Sequence, residues 1–295
     1  EVVLDVGCGQ IRPVMKLDPF ADLENDGPGV VLPLPAFAQG EFAGGLPLGV
    51  QFDEGIVDVL DDVSGAGVGP DGRVYVADTW NHRIQVLNPD GEFLAKAGAF
   101  GQSGGSVSSA PGLFYGPRDI AVDDQGLVYA TDTGNKRVQV FNSDLEYLRS
   151  FGGPGIIDGR LEEPVGLALG PDGLLYVADT WNTRVQAFRS DGSFVRNWPI
   201  LGWDTQSVAN KPYLDTDSAG NVYVTDPENN RVLVFDAEGS PLAVLGGHNS
   251  PLFQLPTGVT LDSSDQLWVS DAASQRLLRF PALELSLPAS PSEEP

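Results

Sequence analysis

Apolar residues along most of the chain recur with a period of two, in runs too short for helices. Val74 and Val76, then Ile84 and Val86, flank a polar segment at 79–82. Alternation on both sides of a polar turn predicts a β-hairpin. The pattern occurs five times: GRVYVADTWNHRIQVLN (72–88), GLVYATDTGNKRVQVFN (126–142), GLLYVADTWNTRVQAFR (173–189), GNVYVTDPENNRVLVFD (220–236) and QLWVSDAASQRLLRF (266–280). A further strand is expected before four of these hairpins, at 119–122, 165–169, 213–216 and 258–261. Another is expected after four of them, at 93–97, 147–151, 194–198 and 241–245. Each unit therefore reads as four short antiparallel strands in ~45 residues, the period of a propeller blade. No 3.6-residue periodicity is sustained, which argues against helical repeats. Blades cannot bury both faces alone, so they are expected to pack side by side in a ring.

Within each unit an acid sits at the same place: Asp78, Asp132, Asp179, Asp226 and Asp271. The spacings are 54, 47, 47 and 45 residues. An Arg follows five residues later, at Arg83, Arg137, Arg184, Arg231 and Arg276. Asn stands three after the acid at Asn81, Asn135, Asn182 and Asn229, with Ser274 in the fifth copy. A residue demanded by every unit is expected to build the unit. The Asp accepts turn amides and the Arg fork holds carboxylate or carbonyl groups. These ten charges are assigned a structural role.

The pattern G-x-[VL]-Y-V-x-D-x-x-N-x-R-[VI]-x-[VL]-F resembles the NHL repeat, over residues 61–283. The resemblance implies a β-propeller, commonly of six blades. The expected fold is thus all-β, a six-bladed propeller of four-stranded antiparallel blades. Residues 1–60 are expected to supply a degenerate N-terminal blade or ring-closing segment, from the strand-like runs at 2–6, 13–17, 30–34 and 56–60. Five blades plus an N-terminal extension is the alternative. The last blade takes its fourth strand from 283–287, or from an N-terminal strand that latches the chain ends together. Residues 284–295 are read as a C-terminal strand and flexible tail.

The 295 residues hold 41 acids and 17 bases, a net charge of −24. Only four are Lys. Phosphate backbones are bound by clustered cations, so nucleic acid is not expected as a partner. No run reaches the ~20 apolar residues that span a bilayer, so no direct membrane insertion is expected. Cys8 is the single cysteine and excludes an intrachain disulfide. The chain is expected to be the soluble part of a larger secreted or membrane-anchored protein, extracellular or facing the cell envelope. The stretch VVLDVGCGQ (2–10) mimics a cofactor-binding glycine loop, but Pro13 follows and no helical pattern continues it.

Turns between second and third strands should share a face with the loops that lead to the next blade. Aromatic and polar residues on those segments are the candidate ligand-binding set: Trp80, His82, Tyr115, Arg118, Trp181, Trp203, Lys211, Tyr213, His248 and Phe253. Arg118, Asp119, Lys211, Tyr213 and Thr257 are placed at the mouth of the central tunnel. For Trp80 and Trp181, packing between blades is the competing reading. Flat rings beside polar groups suit a protein, peptide or glycan partner. The reading is a non-catalytic binding module. The alternatives are a metal-dependent propeller hydrolase or lyase acting at the tunnel, and a structural subunit of a surface assembly. No cofactor is expected. Calcium is the exception to keep in view, since Asp119, Asp215 and Asn210 offer oxygen ligands and such sites need about six to eight. Zinc held by several His is excluded by a chain with only His82 and His248.

Overall fold

The computed structural model describes residues 63–102, 111–203 and 211–285, with the backbone of three N-terminal strands, β1 (Leu4–Gly7), β2 (Gln10–Pro13) and β3 (Val30–Pro33). The calls at 13–17 and 56–60, and Asn210, fall at least partly outside these residues.

Four blades are built from consecutive strands. The first comprises β4 (Val63–Val68), β5 (Val74–Asp78), β6 (Arg83–Leu87) and β7 (Phe93–Ala97). A parallel two-stranded pair, β8 (Ala99–Phe100) and β9 (Leu113–Phe114), lies in the loop that follows. The second blade is β10 (Pro117–Val122), β11 (Val128–Asp132), β12 (Arg137–Phe141) and β13 (Tyr147–Gly152). The third is β14 (Pro164–Leu169), β15 (Leu175–Asp179), β16 (Arg184–Phe188) and β17 (Phe194–Pro199). The fourth is β18 (Leu214–Thr216), β19 (Val222–Asp226), β20 (Arg231–Phe235) and β21 (Pro241–Gly246). All are antiparallel meanders, with boundaries close to those the alternation predicts.

The fifth blade closes differently. Strands β22 (Pro256–Leu261), β23 (Leu267–Asp271) and β24 (Arg276–Phe280) take β3 as their fourth strand, with Leu278 opposite Val31. Residues 281–285 form no strand, so the fourth strand comes from the N-terminal segment. Pairing covers the edge that β24 would otherwise expose. The β1–β2 hairpin adds a further contact, with β1 lying against both β4 of the first blade and β23 of the fifth. Among the described residues there are five four-stranded blades, not the expected six. Two N-terminal strands pair only with each other, and the third completes an existing blade.

The inner strands β4, β10, β14, β18 and β22 follow one another around the axis. Hydrophobic clusters fill each junction between successive blades. Phe141 and Val86 meet between the first and second, Phe151 and Leu175 between the second and third, and Trp198 and Val224 between the third and fourth. Tyr223 and Val269 join the fourth to the fifth. Each fully buried side chain of this size contributes about 1.5–3 kcal/mol.

Four of the acids serve in turns on the face away from the repeat motif. Asp123 Oδ1 accepts the amides of Gln125 and Leu127, and its Oδ2 accepts the hydroxyl of buried Tyr129. Asp217 does the same for Ala219, Asn221 and Tyr223. Asp172 accepts from Leu174 and Tyr176, and Asp262 from Ser264, Gln266 and the Trp268 indole. These Asx turns anchor the polar end of an aromatic ring whose body is buried.

Candidate functional site

The repeated Asp-Asn-Arg set makes more than a turn. In the second blade the Asp132 carboxylate is fully buried. It accepts Asn135 Nδ2 at 2.9 Å, Arg137 Nε at 2.8 Å and Gln139 Nε2 at 3.0 Å. Its Oδ1 also accepts the backbone amide of Tyr115, which belongs to the loop arriving from the first blade. Asn135 donates onward to the Gly101 carbonyl, and Arg137 to that of Leu113. The motif is therefore a clamp on the incoming loop.

The third blade repeats the arrangement. Asp179 accepts the Glu162 amide, Asn182 donates to the Gly155 carbonyl, and Arg184 donates to those of Ile157 and Arg160. In the fourth blade Asn229 holds the Gly202 carbonyl and Arg231 that of Leu201. In the fifth, Asp271 accepts the amides of Gln254 and Leu255, and Arg276 holds the Leu252 carbonyl. In the first blade Asp78 binds Asn81, Arg83 and Gln85.

The residue just before the motif Arg adopts the left-handed region in every described blade: His82, Lys136, Thr183, Asn230 and Gln275. Three of these reach the loop that leads to the next blade. His82 Nδ1 accepts the Gly116 amide at 3.0 Å. Lys136 pairs with Glu162, and Asn230, with its amide turned over, donates to the Gln254 carbonyl. Those interblade loops are gripped from both sides.

The clamped loops and the turns between second and third strands form one face. Trp80 and Trp181 stand on it half exposed, at 54% and 55%, so packing between blades is not their role. The His82 ring lies 4.9 Å from Phe100 and 5.9 Å from Tyr115. Burial pulls the His82 pKa down, against the charge of Asp132. With Nδ1 accepting an amide, the neutral ring carries its proton on Nε2. Tyr115 sits over Gly134, where a Cβ would approach its ring to 2.5 Å. Glycine thus replaces the tryptophan found at this place in the first and third blades. His248 is exposed and contacts Asn229 at 3.0 Å.

Two expected surface aromatics belong to the core instead. Trp203 and Phe253 are each 1% exposed, packed in the junctions of the third and fourth and of the fourth and fifth blades. Lys211 is likewise withdrawn, at 2% exposure. Its Nζ lies 2.8 Å from Glu163 and 5.7 Å from the Trp181 ring centre.

The inner strands place a second group at the axis. Asp119 accepts the amides of Ile120 and, from the neighbouring blade, Leu167. Asp215 accepts those of Thr216 and Leu261 and the Thr260 hydroxyl. Burial pushes the Asp119 carboxyl well above the usual range, and the charge of Asp215 adds to it. Asp215 is raised for the same first reason. Gly65 and Gly166 let the inner strands come this close, since a Cβ would meet Asp119 Oδ1 at 2.3 Å and Tyr213 Cα at 2.7 Å respectively.

A carboxyl whose pKa is raised by folding adds stability below its ordinary pKa and withdraws it as pH rises through the raised value. Through Asp119, acidification from neutral pH is therefore expected to favour the native state. Urea midpoints at two pH values should show the wild type gaining more on acidification than Asp119→Asn. Equal gains would contradict the assignment.

No group of three or more His, Cys, Asp or Glu able to hold a metal occurs among the described residues. No described helix is long and apolar enough to cross a membrane.

The NHL repeat model matches residues 60–87, 114–141, 161–188 and 253–280. NHL repeat-containing protein 2 of Gallus gallus is 31% identical over 78 residues, 25% of this chain. That match spans only 11% of the relative's own length. Among solved structures, virginiamycin B lyase from Staphylococcus aureus aligns with a TM-score of 0.54 at 16% identity, over 76% of this chain and 68% of that one. A chain of a nidogen–laminin complex aligns with a TM-score of 0.55 at 21% identity, over 76% and 77%. At these identities the two structures speak for the fold alone. The four matched repeats and the antiparallel four-stranded blades agree: this chain carries NHL repeats and folds as a β-propeller.

Proposed function

We propose that the chain is a recognition module that docks a protein partner on the face formed by its clamped loops. One observation carries this reading. Among the described residues, eight of the thirteen exposed large hydrophobics lie on that face. Trp80 and Trp181 come from the turns, Phe100, Leu113 and Tyr115 from the first interblade loop, and Ile156, Ile157 and Leu201 from the next two. Exposed apolar residues gathered on one side mark interaction surfaces, whereas scattered ones need no explanation. Charges on this face are largely paired within the protein, Arg with Asp in each motif and Lys with Glu at Lys136 and Lys211. The partner recognised is accordingly apolar, and docking should depend weakly on salt.

Selection of peptides from a displayed library tests the proposal. Enriched peptides are expected to lose at least about tenfold in affinity against Trp181→Ala or Leu201→Ala, equivalent to about 1.4 kcal/mol. They should keep full affinity for Val244→Ala, on an outer strand. Peptides indifferent to the loop-face changes would contradict it. A glycan array run in parallel separates a sugar from a peptide ligand.

A second reading places hydrolase or lyase chemistry at the axis. It is favoured by the buried Asp119 and the partly exposed Asp215, whose raised pKa values suit acid–base work. It requires a metal or substrate to stabilise the native state through the axis, so a calcium-dependent rise in Tm would support it.

A further inference from the structure

A histidine joins two blades as a hydrogen-bond acceptor. His82 lies in the turn of the first blade, and its Nδ1 accepts the Gly116 amide at 3.0 Å. Gly116 closes the loop that carries Phe100, Leu113 and Tyr115, and Pro117 begins β10 of the second blade directly after it. Tyr115 is tied to the second blade, since its amide donates to Asp132 and its carbonyl accepts the Gly134 amide at 2.8 Å. Gly116 is tied to the first blade through His82. Three rings surround the joint. The His82 ring centre lies 4.9 Å from that of Phe100 and 5.9 Å from that of Tyr115, and the last two are 5.5 Å apart. From the equivalent left-handed position the second and fourth blades reach their loops with Lys136 and Asn230. The first blade uses an imidazole, a side chain whose charge changes near neutral pH.

We propose that His82 is a proton-operated latch on the recognition face: on gaining a proton it releases Gly116 and loosens the loop that carries Phe100, Leu113 and Tyr115. A neutral imidazole offers one acceptor nitrogen, whereas an imidazolium has two donors and none. With Nδ1 protonated, two N–H groups would face each other across 3.0 Å, and the partly buried amide would lose its partner. The ring then has to swing away, and Phe100 and Tyr115 lose the neighbour that packs them. The titratable groups facing the ring are Asp132 and the Tyr115 phenol, and on its own turn Arg83 is paired with Asp78. The Asp132 charge favours the imidazolium, but burial outweighs it and favours the neutral ring. A histidine lowered in this way adds stability above its ordinary pKa and withdraws it as pH falls through the lowered value. That sign is opposite to the one assigned to Asp119, so a global melting curve mixes the two and the readout has to be local. The effect on docking rests on the recognition role proposed above; the latch itself does not.

Amide exchange followed by NMR at about pH 7.5 and about pH 5 tests the latch. After correction for the pH dependence of exchange in unfolded chains, Gly116 protection is expected to fall about fivefold on acidification, the worth of one hydrogen bond. Amides of β11 and β12 should keep theirs. His82→Gln introduces the residue type that the fifth blade carries at this place, Gln275. Its side-chain oxygen accepts at either pH, so Gly116 protection should no longer depend on pH. His248→Gln, which alters an exposed histidine of a later loop, should leave the response intact. A response that persists in His82→Gln would assign it to Asp132 and overturn the proposal, as would equal Gly116 protection at both pH values in the wild type. If His82→Gln does not fold, the ring-nitrogen shifts of the wild type decide. Nδ1 should be unprotonated at neutral pH and gain its proton as Gly116 loses protection, and a proton on Nδ1 at neutral pH would contradict the latch. Peptides selected against the loop face should bind the wild type about fivefold more weakly at the lower pH, and His82→Gln equally at both. Unchanged affinity beside a released Gly116 would refute control of docking and leave the docking reading standing. Failure to select any loop-face peptide would sink the docking reading and not the latch.

Discussion

Replacing Arg137 by Ala is expected to lower the stability of the protein by about 3–5 kcal/mol, the cost of leaving a buried charge without its partner. Arg137 and Asp132 are both 0% exposed. Removing the guanidinium leaves the Asp132 carboxylate with only neutral donors from Asn135, Gln139 and the Tyr115 amide. It also removes one of the two side-chain donors to the Leu113 carbonyl, leaving Gln139 Nε2 as the other. The same change at Arg276, which is 27% exposed, should cost only about 1–2 kcal/mol, because water replaces what is lost. Urea denaturation of the two variants gives the comparison. If the two losses are equal, the pairs do not act through burial.

Removing residues 1–34 should have a comparably large effect, located at the other end of the chain. Without β3, the fifth blade ends on β24, whose backbone groups opposite Val30–Pro33 lose their partners. Each backbone hydrogen bond lost costs about 1 kcal/mol net, and the freed edge offers a template for intermolecular pairing. The shortened protein is expected to melt at lower temperature and to self-associate, as size-exclusion chromatography would show. A monomer with unchanged Tm would mean that the N-terminal strand does not close the ring.

The blades were legible in the sequence because each strand announces itself by its own alternation. The strand limits at 93–97 and 165–169 coincide with those observed to within one residue. Ring closure was legible only as one of two alternatives, an N-terminal strand or residues 283–287, and the first is the one observed. Strand β3 lacks the Asp-Arg signature, and its place is set by a free edge almost 250 residues away. The ten motif charges were assigned to building the blade, but the object they hold was not named. Arg184 grips the carbonyls of Ile157 and Arg160, and every residue has a carbonyl, so no side-chain type marks the target. The left-handed position was hidden for a related reason. His82, Lys136, Thr183, Asn230 and Gln275 share a backbone conformation but no chemistry, and glycine, the usual marker, is absent there.

The candidate aromatics divide for a reason that residue type could not supply. Trp181 occupies a turn whose backbone is fixed by its own blade, so its ring projects outward. Trp203 lies on a connecting loop that dips into the junction between blades. Gln85, Gln139 and Gln186 were overlooked altogether. Each donates to the motif carboxylate, and a signal existed, since Gln stands seven residues after the Asp in those three repeats.

Hydrogen exchange on Asn182→Ala addresses the clamp most directly. Among the described residues the Asn182 side chain hydrogen-bonds only the Asp179 carboxylate and the Gly155 carbonyl, so its loss should loosen the loop and spare the sheet. Amides at 153–163 should exchange faster than in the wild type, while those of β15 and β16 keep their protection. Unaltered exchange across that loop would show that the repeated polar residues do not hold the recognition face in place.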